Sequence, residues 1–128
     1  MRNTLIIDAN IILRYLLADN KQQYETSKKL FSAALKGEIT LFIKEIVLAE
    51  VVYVLEKVYK VEKNEISSIL SDLVNMKGIK AENKKTLLEA LKIYKNKNLD
   101  IVDCILCALK EEYEVKTFDK KLKKCLDT

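Results

Sequence analysis

The sequence predicts an α/β protein, a three-layer α/β/α sandwich around a central, mainly parallel sheet, in a single domain over residues 1–128. Short β-rich runs alternate with amphipathic stretches of helical period, the pattern of strand–helix–strand units joined by right-handed crossovers. The chain has no proline, only two glycines (Gly37 and Gly78) and no repeat, so nothing marks a linker. At 128 residues it suits one domain that buries roughly two-thirds of its unfolded surface.

Thr4–Ile7 reads as a buried strand, followed by a helical pattern over Ile11–Leu17. A longer helix fits Gln22–Lys36, with Tyr24, Ser27, Leu30, Phe31 and Ala34 on one side and Gly37 as its stop. Ile39–Ile43 is the second strand. Lys44–Tyr59 holds enough β-branched residues for either state, and its length decides for helix. Lys63–Met76 is another helix, after which Gly78 turns the chain into a short strand at Ile79–Ala81. Lys84–Lys95 carries Leu87, Leu88, Leu91 and Tyr94 inward. Ile101–Glu112 reads as a nearly all-apolar helix, to be buried against the sheet. Val115–Phe118 is the expected last strand and Lys120–Leu126 a closing helix.

Composition narrows the chemistry. There is no histidine, which removes Ser-His-Asp hydrolases, Cys-His proteases, H-E-x-x-H zinc enzymes and histidine-dependent ribonucleases. Acid–base and metal work must then fall to carboxylates and water. Three cysteines, an odd number, argue against a disulfide framework and suit a reducing compartment. Cys104 and Cys107 form a C-x-x-C, but they lie in an apolar helical run with no second pair or histidine to complete a metal site, so burial explains them better. Apolar stretches such as Ile46–Ala49 and Cys104–Leu109 fall far short of the ~20 residues of a membrane helix. Asp8 splits the apolar N-terminal segment and no small-residue cleavage site follows, so a signal peptide is not expected and a cytoplasmic protein is. The formal charge of +4, with lysine clusters at Lys92–Lys97 and Lys116–Lys124, permits a polyanionic partner without requiring one.

Four carboxylates stand out because Asp8, Glu50, Asp103 and Asp119 each interrupt or end an apolar run, where an unpaired charge is costly. Ligands lie outside the carboxyl ends of the strands in such sheets, where Asp8 follows the first strand and Asp119 the last. If the fold gathers these acids, their repulsion favours protonation or a divalent ion, and oxygen donors favour Mg²⁺ or Mn²⁺. Each aspartate also has a plainer reading. Asp8 and Asp119 fit helix N-caps, and Asp100 with Asp103 fits a capping box. Glu50 lacks that excuse, being the one charged residue between Glu45 and Glu56, in mid-helix. Its plain alternative is a single solvent-facing stripe.

At these positions the sequence resembles the PIN-domain family of nucleases, most closely its VapC-type toxin branch. The resemblance rests on LIIDANIILRYLL (Leu5–Leu17), VLAEVVYVL (Val47–Leu55), LDIVDCILCAL (Leu99–Leu109) and TFDKKL (Thr117–Leu122), in the family's order. It implies a PIN-like fold and a Mg²⁺- or Mn²⁺-dependent endoribonuclease with Asp8, Glu50, Asp103 and Asp119 as catalytic, metal-binding acids. Asp100 is an additional acid in many members, and Asn10 and Thr117 look like residues that support the aspartates. Ala9 stands where relatives often carry a hydroxyl, and Cys104 and Cys107 replace small apolar residues, but no acid is lost. The resemblance further implies RNA as substrate, a cognate antitoxin, a homodimer or higher assembly, no membrane, and products with 5′-phosphate and 3′-hydroxyl ends. Two other readings compete. One is a PIN fold that only binds. The other is a phosphoacceptor signalling domain, which needs an aspartate after a central strand that the middle of this chain does not offer.

Overall fold

The computed structural model describes residues 3–128. Thr4–Ile6 forms β1, followed by α1 (Ala9–Leu17), α2 (Lys21–Leu35), β2 (Thr40–Ile43), α3 (Glu45–Lys57) and α4 (Lys63–Val74). The chain continues through β3 (Ile79–Ala81), α5 (Lys84–Asn96), α6 (Ile101–Ala108), a 3-10 turn at Leu109–Glu111 and α7 (Lys120–Leu126). The three strands form one parallel sheet in the order β1-β2-β3, with Leu5 opposite Leu41 and Leu41 opposite Ile79. This is the α/β class with a parallel sheet that the alternating periods imply.

Helix ends follow local chemistry. Asp8, Asn20, Asp100 and Asp119 are the N-caps of α1, α2, α6 and α7, and each side chain accepts a backbone N–H three residues on. The apolar faces of α3, α4 and α5 meet in the core, where Leu48, Val51, Ile66, Leu70, Leu87, Leu91 and Tyr94 are fully buried. Two buried serines are satisfied, Ser27 by donating to the Ile11 carbonyl at 2.9 Å and Ser67 to that of Leu91 at 2.9 Å. Gly78 starts β3 at φ +87°, and a Cβ there would stand 2.3 Å from the Ala34 carbonyl oxygen, so only glycine lets α2 pack so close.

Cover of the sheet is unequal. Leu41 and Ile43 are wholly buried, whereas the other face carries Ile6, Phe42 and Lys80, and Ile6 is 67% exposed. Lys44 and Lys80 place their ammonium groups 5.9 and 5.5 Å from the Phe42 ring centre, laying their stems over that face.

Three sequence expectations are corrected. Val115–Phe118 is not a strand. Thr117 instead accepts the Asp119 N–H with its own hydroxyl at 3.0 Å, a local turn that competes with ladder pairing, and Phe118 is left fully exposed. Ile101–Glu112 is not one helix, since α6 gives way to the 3-10 turn after Ala108. The cysteines are not all free: Cys107 on α6 and Cys125 on α7 form a disulfide with Cα atoms 6.2 Å apart, leaving Cys104 buried and unpaired. An odd cysteine count argues against a framework of several bridges, but does not forbid one bridge and a leftover thiol.

Candidate active site

The loop after α5 and the start of α6 set the first part of the site. Asp100 caps α6 by accepting the Asp103 N–H at 2.8 Å, which uses one of its carboxylate oxygens. The reciprocal half of a capping box is not formed, so the Asp103 carboxylate, in the first turn of α6, accepts no hydrogen bond from the described residues. Asp119 caps α7 by accepting the Leu122 N–H at 2.9 Å, also through one oxygen. Asp100, Asp103 and Asp119 line one cavity of about 250 Å³. There the Asp103 carboxyl is held above the usual aspartate range by its burial first, then by the negative charges of Asp100 and Asp119.

Cations sit on the same walls. Lys57, Lys63 and Lys121 line the cavity with Glu56 and the three aspartates. Lys63 is tied down, donating to the carbonyls of Lys97 at 3.2 Å and Leu99 at 2.7 Å, with its ammonium 4.3 Å from the Tyr94 ring centre. Glu56 accepts a short hydrogen bond from the Tyr94 hydroxyl, which holds it below the usual glutamate range against the effect of burial, helped by Lys57 and Lys63. The same contact, after burial, pushes the Tyr94 hydroxyl strongly up. The Cys104 thiol beside Asp103 is pushed up to about 12, chiefly by burial, so it is no nucleophile at neutral pH.

The other candidate residues lie elsewhere. Asp8 accepts the Ile11 N–H at 3.1 Å and lines a separate cavity of about 680 Å³ with Asn10, Arg14, Gln22 and Thr26. Asn10 is exposed there and makes no hydrogen bond to the Asp8 carboxylate. Glu50 is exposed on α3 and lines neither cavity. Its helix packs on both α1 and α6, the elements that carry Asp8 and Asp103. Thr117 reaches the Asp119 backbone rather than its carboxylate. Asp100, Asp103 and Asp119 thus line one cavity and Asp8 another, while Glu50 lines neither. Among the described residues no three acids or cysteines stand close enough to enclose a metal ion. The donors present are hard oxygens, and the cap bonds leave one carboxylate oxygen of Asp100 and of Asp119 free beside an unbonded Asp103. That fits an ion such as Mg²⁺, which keeps several waters and takes one or two carboxylates plus phosphate oxygens.

Sequence reasoning missed Lys63, which is hidden among 23 basic residues, and Glu56, which reads as an ordinary surface acid. It also missed Glu82, which accepts the Glu45 N–H at 2.8 Å and pairs with Lys44 at 3.0 Å, capping α3 from the end of β3. No local signal announces such a long-range cap.

The PIN domain family profile matches residues 5–125. The chain belongs to the PIN domain family. This PIN domain is also 29% identical over 123 residues to the VapC ribonuclease of Aquifex aeolicus (strain VF5), covering 93% of this chain and 90% of that protein. No solved structure matches it. No helix among the described residues is long and apolar enough to cross a membrane.

Proposed function

We propose that this PIN domain is a single-domain, cytoplasmic endoribonuclease that depends on Mg²⁺ or Mn²⁺ and acts as the toxin of a toxin–antitoxin pair. The observation that carries the reading is the unbonded Asp103 carboxylate facing Asp100 and Asp119 in one cavity, in a chain that matches the PIN profile almost end to end. The likeness to a VapC ribonuclease adds RNA as the substrate class and an antitoxin as partner.

In this reading Asp103 and Asp119 bind the ion, Asp100 holds the start of α6 in place, and Asp8 and Glu50 complete the catalytic acids as in the family pattern. Thr117 fixes the backbone of Asp119, and Asn10 supports the Asp8 side. When bound, the divalent ion supplies a water of lowered pKa and neutralises charge building on the phosphate. Lys57 and Lys121 draw the phosphodiester to the rim and offset the acids against which it must approach. The N-terminal end of α6, eight residues long, adds its positive dipole at the same place. A homodimer is part of the proposal.

The test is cleavage of a defined RNA pool with Mg²⁺ and Mn²⁺ titrated, followed by sequencing of the ends. Metal-dependent products with 5′-phosphates, lost in Asp103→Asn and Asp8→Asn, are expected. Cleavage that persists in EDTA, or within about tenfold of wild type in both variants, corresponding to roughly 1.4 kcal/mol of barrier, overturns it. That Asp8 lines a different cavity from the other aspartates, and Glu50 neither, favours a second reading, a PIN fold that binds RNA or protein without cutting. RNA retained intact at every metal concentration would select that reading.

A further inference from the structure

We propose that the Cys107–Cys125 disulfide is a thiol-exchange site, at which a small thiol opens the bond, frees α7 and so withdraws Asp119 from the acid cavity. The effect on cleavage rests on the nuclease reading above, whereas the release of α7 does not.

The bond joins the two elements that carry the clustered acids. Cys107 lies one turn after Asp103 on α6, and Cys125 lies on α7, whose N-cap is Asp119. α7 has seven residues and buries only Leu122 and Cys125. A helix that short has no stability of its own. Besides the disulfide and Leu122 it is held by Leu126, half-buried against the core, and by Lys110, whose ammonium donates to the carbonyls of Cys125 at 3.1 Å and Thr128 at 3.2 Å. Those two bonds tie the end of α7 to the turn after α6, and release of α7 breaks them. The segment before α7 forms no strand, and its Glu114 and Lys116 are exposed.

Access is built in. The cysteines are only 1% and 2% exposed, but both line a cavity of about 700 Å³ together with Lys85, Glu89, Lys97 and Lys110. A small thiol fits that volume. Cys104 cannot substitute for it, because it does not line the cavity and its sulfur is turned to the Leu99 carbonyl at 3.8 Å.

The chemistry balances. A thiolate attacks the Cys107 sulfur, the Cys107–Cys125 bond breaks, and the Cys125 sulfur leaves as a thiolate and takes a proton from solvent. A second thiol then attacks the mixed disulfide, forming the external disulfide and releasing Cys107 as a thiol. Two small thiols are oxidised and one protein disulfide is reduced, a two-electron exchange.

The experiment compares the full chain, oxidised and after incubation with reduced glutathione under native conditions, by intact mass, amide exchange and RNA cleavage with Mg²⁺. Glutathione should add to Cys107 or Cys125, or leave both as thiols, with Cys104 unmodified. Amide protection in α7 should fall at least tenfold while that of α4 holds, and cleavage should fall at least tenfold. Cys104→Ser should show the same thiol response, and Cys125→Ser should resemble the reduced chain and ignore thiol. If Cys125→Ser does not fold, reduction of the unmodified chain decides alone. Unchanged protection of α7 after complete reduction, or a bond that opens only in denaturant, overturns the proposal. If neither form cuts RNA but α7 is released on reduction, the nuclease reading fails and the exchange site stands.

Discussion

At the scale of single residues, Asp103 and Asp119 separate capping from chemistry. Asp119→Ser keeps an oxygen for the Leu122 N–H but removes the carboxylate, so we expect stability within about 0.5 kcal/mol of wild type and cleavage lowered about 100-fold or more. Asp119→Ala should lose the cap as well, at about 1 kcal/mol by urea titration. Asp103 is raised by burial and by its acidic neighbours, so the folded chain binds that proton more tightly than the unfolded chain. Between the ordinary aspartate value and the raised one, stability therefore falls as pH rises, and above it the charged group is a fixed burden. Metal-free Asp103→Asn should melt higher than wild type at pH 7, with the gap closing as pH drops toward 4. Glu82, held low by the Glu45 N–H and Lys44, works in the opposite direction and loses its contribution in acid. Lys63→Met should cost about 1–3 kcal/mol, because two carbonyls lose a charged donor.

At the scale of elements, the two glycines make a paired test. Both have positive φ, but a Cβ on Gly37 meets nothing within 4 Å whereas one on Gly78 collides with the backbone of α2. Gly37→Ala should cost about 1–2 kcal/mol of conformational strain. Gly78→Ala should cost about 2–4 kcal/mol, because overpacking adds to that strain, and denaturant midpoints will rank the two. Most elements were legible from periodicity, and α2 shows why: Ser27, Phe31 and Ala34 recur at helical spacing and are the residues it buries. The last strand was misread because Val115–Phe118 has strand composition, whereas Thr117 and Asp119 settle their backbone locally. Composition does not register that competition.

At the scale of the whole molecule, the acids of the candidate site were legible as residues but only partly as a constellation. Asp100, Asp103 and Asp119 share a cavity because α6 and α7 pack together, and the cysteine bond that reinforces this contact was invisible in a count of three. Asp8 and Glu50 stand out equally in the sequence, yet whether distant elements converge is a property of packing, which no local pattern records. Mg²⁺ provides the global check. An ion that binds only the folded chain raises the melting temperature, by about 2.7 kcal/mol of stability at 100 times its Kd. That rise is expected in wild type and should vanish in Asp103→Asn. The disulfide closes a loop of 18 residues and should be worth roughly 3 kcal/mol in a chain-entropy picture, measurable as the stability lost on reduction.

Lys63 belongs to the first turn of α4, yet its two carbonyl partners lie in the segment leading into α6. A helix that supplies no acid to the cavity therefore governs how long that segment stays closed, and the two should open as one cooperative unit. Opening free energies for the backbone amides of Asn98 and Leu99 should rise and fall with those of Ile66 and Ser67 across a series of mild denaturant concentrations.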